Sequence, residues 1–332
     1  MRRLRAAVVG VGHLGRFHAL KYRELPQVDL VAVVDVRPQR AQDVAREAGA
    51  QALVHHRELM GRVDVATVAV PTTEHCRVAR DLLQGGVHVL VEKPIAATME
   101  EAQLLVETAE RQGTILQVGH LERFNPTVQA LRKKLKDPLF LECHRISPYP
   151  GRGVDVDVVL DLMIHDIDLL LDFLQSEPVQ VDAVGVPVLT PRYDIVNARL
   201  RFATGCVANV TASRVSAKSL RKIRVFQSDA YLSVDFGKRE LMEYRRIPAE
   251  RAGEGPRIHA ERLQVEEKDV LLEEVRSFVE AVRHQRPPVV DARAGMRCLE
   301  VALKVIADIE RNVPEEVWER LRGQGGNDGT GP

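Results

Sequence analysis

The first 120 residues alternate short apolar runs with amphipathic stretches, and this alternation limits the possible folds more than any other feature. The runs cover 6–9, 30–34, 65–70, 87–91 and 114–118. Helix-like segments fall between them, near 13–24, 38–48, 73–85 and 98–112, with Thr72 or Thr73 and Thr98 at N-cap positions. Continuous apolar strands separated by helices give a parallel sheet buried on both faces. Right-handed crossovers then make an α/β fold with a doubly wound sheet.

After Gly119 the pattern changes. A helix-like segment near 126–136 leads to a strand-like stretch, 140–146, and a loop rich in Pro and Gly, 147–153. A strongly apolar helix over about 158–174 follows. Beyond it strand-like runs succeed one another at 179–188, 195–202, 206–213, 222–227 and 231–235, with further strands expected after them. No helices separate these runs, so hairpins and an antiparallel or mixed sheet are expected. Segments 273–284 and 292–311 read as closing helices. The expected division is a dinucleotide-binding domain over 1–121, an α+β domain over 122–322, and a disordered Gly-rich tail over 323–332.

The chemistry begins at Gly10-Val11-Gly12-His13-Leu14-Gly15, a G-x-G-x-x-G between the first strand and the first helix. Gly10 permits the tight turn, Gly12 lets the backbone approach a pyrophosphate, and Gly15 lets the helix pack on the strand. The helix N-terminus adds N–H donors and a positive dipole end. Asp35 closes the second strand, 20 residues after Gly15, and is placed to accept hydrogen bonds from the adenosine ribose. A carboxylate there repels a 2′-phosphate and favours NAD over NADP, although Arg37 stands close enough to accommodate such a phosphate. The full set expected around the cofactor is Gly10, Gly12, His13, Leu14, Gly15, Asp35, Val36, Arg37, Pro71, Thr72, His75, Glu92 and Lys93.

Two further features carry catalytic potential. Glu92-Lys93-Pro94 follows the run 87–91, at the strand ends where ligands of open α/β sheets lie. Pro94 keeps Lys93 out of helical geometry. A lysine there is placed to hydrogen-bond a substrate oxygen and stabilise alkoxide character; on position alone it reads equally well as a surface lysine. Asp161 and His165 are four residues apart in the apolar helix and share one face of it. An Asp can orient an imidazole that works as a base near neutral pH. An isolated pair of this kind is more often a core histidine held by a carboxylate. Asp166 and Asp168 read as helix-surface or interface charges.

Bulk properties narrow the partners. Lysines plus arginines and aspartates plus glutamates each number 47, so no basic excess exists to meet a nucleic acid. No apolar run approaches the roughly 18 residues of a membrane span, and the first apolar stretch is broken too early for an export signal. The four cysteines are scattered singly, which suggests neither a metal site nor a disulfide framework and fits a reducing cytoplasm.

Together the glycine turn, Glu92-Lys93-Pro94 and Asp161-x-x-x-His165 resemble the Gfo/Idh/MocA oxidoreductases, over essentially the whole chain. The resemblance implies a Rossmann domain and a C-terminal domain built on a large open sheet, whose outer face makes homodimers or homotetramers. It implies a catalytic role for Lys93 and for the Asp161–His165 dyad, with either Lys93 or His165 as the formal base. Regulators built on this fold tend to lack that constellation, which is intact here.

Three further segments, 119–126, 147–153 and 211–216, resemble the UDP-N-acetylglucosamine 3-dehydrogenase branch of the family. That branch oxidises the sugar 3-hydroxyl during synthesis of amino-sugar lipid A, and an aminotransferase consumes the product. On this reading Arg123, Arg152 and Arg214 are candidates to clamp a diphosphate. Asn125 and His165 are candidates to contact the sugar. At least one of the three arginines is expected to be purely structural. The alternatives are a dehydrogenase of a free sugar or inositol, and a non-enzymatic NAD-binding sensor.

Overall fold

The computed structural model describes residues 2–149, 156–247 and 257–312. Its first unit carries a six-stranded sheet in the order β3-β2-β1-β4-β5-β6, every pair parallel. The strands are β1 (Leu4–Val9), β2 (Val28–Val34), β3 (Gln51–Leu53), β4 (Val65–Val68), β5 (His88–Glu92) and β6 (Leu116–Gly119). Four helices cross over between them: α1 (His13–Glu24), α2 (Pro38–Ala48), α3 (Thr72–Gln84) and α4 (Met99–Gln112). This is the doubly wound order expected from the alternating pattern.

Local chemistry sets the helix ends. The Thr98 hydroxyl accepts from the Glu101 N–H at 3.2 Å, as an N-cap should. Thr72 is instead the first residue of α3, after Pro71, and no side chain caps that end. β4 is also shorter than the run 65–70, and residues 69–71 form a loop at its end.

Asp64, just before β4, anchors the start of β1. Its carboxylate accepts from the Arg5 N–H at 2.8 Å, Arg5 Nη2 at 3.0 Å and Arg2 Nη2 at 2.9 Å. Burial alone would raise this carboxyl, but the Arg5 and Arg2 bonds outweigh it and hold it at about 2. The unfolded carboxyl titrates near 3.9. The contribution is therefore complete above that value and is lost as the pH falls toward 2. Asp64→Asn should remove about 1 kcal/mol at pH 7, after allowance for the solvent-exposed arginines. Thermal unfolding at pH 7 and pH 2.5 checks this: the variant's deficit should shrink at the lower pH.

The second unit carries an eight-stranded sheet, β14-β13-β12-β11-β7-β10-β9-β8. Its strands are β7 (Pro138–Ile146), β8 (Pro178–Val186), β9 (Ile195–Phe202), β10 (Val207–Ser213), β11 (Leu220–Gln227), β12 (Ala230–Asp235), β13 (Glu240–Ile247) and β14 (Arg257–Leu263). Among the described residues only β10–β7 is a parallel pair in this sheet. β9 alternates buried and exposed residues along its length, which marks a sheet with one covered face. Phe140, Phe226, Tyr231 and Tyr244 stack across β7, β11, β12 and β13 with centroids 5.6, 4.8 and 5.1 Å apart. Such cross-strand aromatic pairs help fix register. Helix α5 (Pro126–Lys134) precedes β7, and a π-helical turn (Val159–Met163) opens into α6 (Ile164–Leu174).

The single division expected near residue 121 needs correction. The first unit comprises Met1–Asn125 together with Lys268–Leu299, and the second takes Pro126–Glu267 and the chain from Glu300 onward. The cause is the apolar stripe of α7 (Val270–Arg283). Its Val275, Phe278, Val279 and Val282 join the core formed by Ala6, Val8, Leu25 and Leu90. Burying side chains of this size contributes roughly 1.5–3 kcal/mol each, enough to bring the segment back to the first sheet. Helix α8 (Ala292–Asn312), the last among the described residues, begins in the first unit. The tail 323–332, expected to be disordered, lies outside the described residues.

Candidate functional site

In the first unit the C-terminal ends of β1, β2 and β4 border a cavity of about 630 Å³. Gly10, Gly12, His13, Leu14, Asp35, Val36, Arg37 and Pro71 all line it, as the sequence leads one to expect. Gly10 has φ +84°, and a Cβ on it would sit 2.7 Å from the Ala69 carbonyl oxygen. A Cβ on Gly15 would fall 1.9 Å from the Gly10 carbonyl oxygen, so these two glycines are required by the turn itself. Gly12 is different. Its Cβ position meets nothing nearer than Arg40 Nη1 at 3.8 Å. No protein atom demands a glycine there, whereas a pyrophosphate resting against the backbone would. α1 begins at this point with no side-chain cap and no acidic residue in its first turn, as an anion site requires. The residues present therefore fit a dinucleotide. Gly12→Val should weaken NAD binding on the order of 100-fold while leaving thermal stability nearly unchanged; calorimetric titration beside a thermal melt separates the two.

Asp35 does more than face a ribose. It is 5% exposed; Oδ2 accepts from the Val11 N–H at 3.1 Å and Oδ1 from the Arg37 N–H at 2.9 Å. It thus braces the glycine turn. Arg40 Nη1 stands 3.4 Å from Oδ2 and also lines the cavity. Sequence reasoning missed Arg40, although it lies five residues beyond Asp35, in the first turn and a half of the next helix. It also missed His55 and His56, which follow β3, a strand of three residues too short to show a period.

Gly15, Thr72, His75, Glu92 and Lys93 do not line this cavity. Glu92-Lys93-Pro94 leaves β5 through a cis Lys93–Pro94 peptide. His75 is buried, with Nδ1 2.8 Å from the Pro94 carbonyl oxygen and Nε2 2.9 Å from that of Val70. It ties the turn to the end of β4, and its burial lowers its affinity for a proton despite those two bonds. His18 Nε2 lies 2.8 Å from Glu92 Oε1. Burial would raise the Glu92 carboxyl, but the His18 bond and the charges of His18 and Lys93 hold it below the usual carboxylate range. Lys93 itself is half-buried. Farther along, Arg123 and Asn125 follow β6 in a short helical turn (Leu121–Phe124) and its end. Asn125 Nδ2 donates to Glu122 Oε2 at 3.0 Å.

In the second unit Asp161 falls within the π-helical turn and His165 near the start of α6. The Ile164 N–H reaches back to the Val159 carbonyl, so the expected unbroken α-helix is widened between the two residues. Turns of this kind are frequent at functional sites. Asp157, which the sequence reading passed over, caps the segment by accepting from the Val159 and Leu160 N–H groups at 3.0 and 3.2 Å. An Asp immediately before an apolar helix was the available signal.

Two expectations for this unit are corrected. Asp166 and Asp168 are not surface charges: they are 2% and 1% exposed. Asp166 accepts from both Nε and Nη2 of buried Arg145, at 3.2 and 2.8 Å, so a helix side meant to be wet is instead neutralised inside. Arg214 is not a diphosphate clamp. It is 1% exposed, and its Nε, Nη1 and Nη2 donate to Asp194 Oδ1 (2.7 Å), the Val156 carbonyl (2.8 Å) and Thr190 Oγ1 (3.1 Å). All three nitrogens are committed internally. Arg152 lies outside the described residues.

Known proteins match along both units. Residues 4–120 fit the oxidoreductase family with an NAD-binding Rossmann fold, and residues 144–233 fit the GFO/IDH/MocA C-terminal domain. The chain is 39% identical over 311 residues to UDP-N-acetylglucosamine 3-dehydrogenase of Acidithiobacillus ferrooxidans, covering 93% of this chain and 98% of that enzyme. A solved structure of that enzyme superposes with a TM-score of 0.87 at 38% identity, covering 94% of this chain and 99% of that one. Myo-inositol 2-dehydrogenase of Thermotoga maritima is 24% identical, over 89% of this chain and 93% of that enzyme. The cofactor crevice, the Glu92-Lys93-Pro94 turn and these matches agree: the chain belongs to the Gfo/Idh/MocA oxidoreductases, with an NAD-binding Rossmann domain and chemistry directed at a sugar hydroxyl.

Proposed function

We propose that this chain is an NAD-dependent dehydrogenase that oxidises the 3-hydroxyl of UDP-N-acetylglucosamine to the 3-keto nucleotide sugar. The observation that carries this reading is the 39% identity extending over 98% of an enzyme with that activity. NAD, when bound, supplies the hydride acceptor. Gly12, the open N-terminus of α1 and Asp35 hold it. Lys93 donates a hydrogen bond to the substrate oxygen and stabilises its developing negative charge. His165, oriented by Asp161, takes the hydroxyl proton. Arg123 and Asn125 remain the described candidates for substrate contacts.

The product is a ketone next to an acetamido carbon, suited to an aminotransferase, and on this reading the chain serves amino-sugar lipid A synthesis in the cytoplasm. Homodimers or homotetramers would use the open sheet, where β8 exposes Val179 (67%) and Val184 (57%). No helix among the described residues is long and apolar enough to cross a membrane.

Incubating the protein with NAD and UDP-N-acetylglucosamine tests the reading. A partner aminotransferase should be present to draw an unfavourable oxidation forward. Mass spectrometry should show a nucleotide sugar that has lost two hydrogens, or its aminated product. A second reading, oxidation of a free inositol or sugar, gains from the internal commitment of Arg214, which removes one diphosphate partner. Competition by UDP alone decides: inhibition supports the nucleotide sugar, and its absence with turnover of myo-inositol supports the rival.

A further inference from the structure

Three ionisable side chains from three elements meet inside the first unit: His18 of α1, Glu92 at the end of β5, and Glu274 of α7. A ring nitrogen of His18 and one oxygen from each glutamate lie within 4.8 Å of one another. His18 is 0% and Glu274 1% exposed. His18 Nε2 is bonded to Glu92, yet both Glu274 oxygens and His18 Nδ1 are buried without a hydrogen-bond partner among the described residues. The neighbouring residues of α7, Val275, Phe278 and Val279, are core hydrophobes. A carboxyl in that row is costly for packing alone, so it calls for a polar reason.

Charge arithmetic identifies its state. Two carboxylates this close in a buried pocket do not both ionise. Glu92 has the cationic Lys93 beside it and the His18 N–H to accept from. Glu274 has neither. The Tyr22 hydroxyl on α1 is occupied by Thr67 Oγ1 at 3.0 Å, and the Gln117 side-chain amide donates to the Glu274 backbone carbonyl at 3.4 Å. His75 of α3 acts on Glu92 rather than on Glu274. The proton therefore stays on Glu274, in agreement with burial and the Glu92 charge, both of which push this carboxyl well above the usual range.

We propose that Glu274 is a positioning residue: a neutral acid that, from within 4.8 Å, hands a hydrogen bond to the Glu92 carboxylate, completes a Glu274–Glu92–His18 network and so fixes the turn that presents Lys93. The proposal rests on the reading of Lys93 as the group that holds the substrate oxygen. Its sign with pH follows. The folded-state affinity for the proton is raised, so the network is intact while Glu274 keeps its proton and is lost as rising pH ionises it against Glu92.

The test uses the full chain. Infrared difference spectra at neutral pH, wild type against Glu274→Gln, should show a protonated-carboxyl C=O band only in the wild type; this readout requires no substrate. In turnover with NAD and UDP-N-acetylglucosamine, Glu274→Leu should lower kcat about 10- to 100-fold with the Kd for NAD unchanged. Glu274→Gln keeps a neutral donor, so it should retain most of kcat and lose the part of the fall with rising pH that Glu274 causes. Should Glu274→Leu fail to fold, the glutamine variant's band and pH profile decide. The proposal is overturned if the wild type lacks the band, if Glu274→Gln loses as much kcat as Glu274→Leu, or if one divalent ion per chain copurifies in place of the proton. If the band is present and no turnover occurs, the proposed substrate fails while the protonation state stands.

Discussion

Lys93→Ala should lower kcat by about 10²-fold or more, the scale of a lost oxyanion or acid–base partner, while the Kd for NAD stays within a few-fold of wild type. The separation follows from placement. Lys93 does not line the cofactor cavity, which is built from the glycine turn, the end of β2 and the loop after β4. Its neighbours are also fixed independently: Glu92 by His18 at 2.8 Å and the Pro94 carbonyl by His75 at 2.8 Å. Removing the ammonium therefore leaves the turn in place. Lys93→Arg should recover little, because a planar fork does not reproduce a compact point charge. Near-wild-type turnover in the alanine variant would remove Lys93 from the chemistry.

Arg214→Ala should act on folding instead. Breaking a buried pair from one side costs about 3–5 kcal/mol, and a unit of this size would melt roughly 10 °C lower. The partner left behind is Asp194, 0% exposed, which also accepts from the Val188, Leu189 and Thr190 N–H groups. Those bonds keep the carboxylate solvated by the chain and place the expected loss toward the lower end. Activity per folded molecule and the KM for substrate should hold near wild type. A raised KM with unchanged stability would restore Arg214 to the diphosphate and contradict its internal assignment.

The parts that were legible in the sequence are those whose physics is local. Gly10, Gly12, Gly15 and Asp35 sit within 26 residues, and each answers to a turn, a cap or a strand end. The strand–helix alternation of the first 120 residues and the hairpins of the second unit followed from periodicity for the same reason. What escaped depends on pairings that no window shows. Arg214 meets Asp194 twenty residues upstream, across two strands, so from sequence it looked available. Asp166 looked exposed because its partner Arg145 comes from β7. Glu274 lies in the segment 273–284, read only as a closing helix. It becomes a buried acid because α7 returns to a sheet whose nearest strand ended about 150 residues earlier. β3 was missed because three residues carry no period.

In the proposed reaction, hydrogen leaves carbon 3 of the sugar as hydride. Wild-type protein incubated with NAD and UDP-N-acetylglucosamine deuterated at that carbon, with an aminotransferase drawing off the ketone, should yield reduced nucleotide carrying the deuterium and a sugar product without it. Reduced nucleotide free of deuterium, beside a sugar that keeps its label, would place the oxidation at another carbon and contradict the assignment.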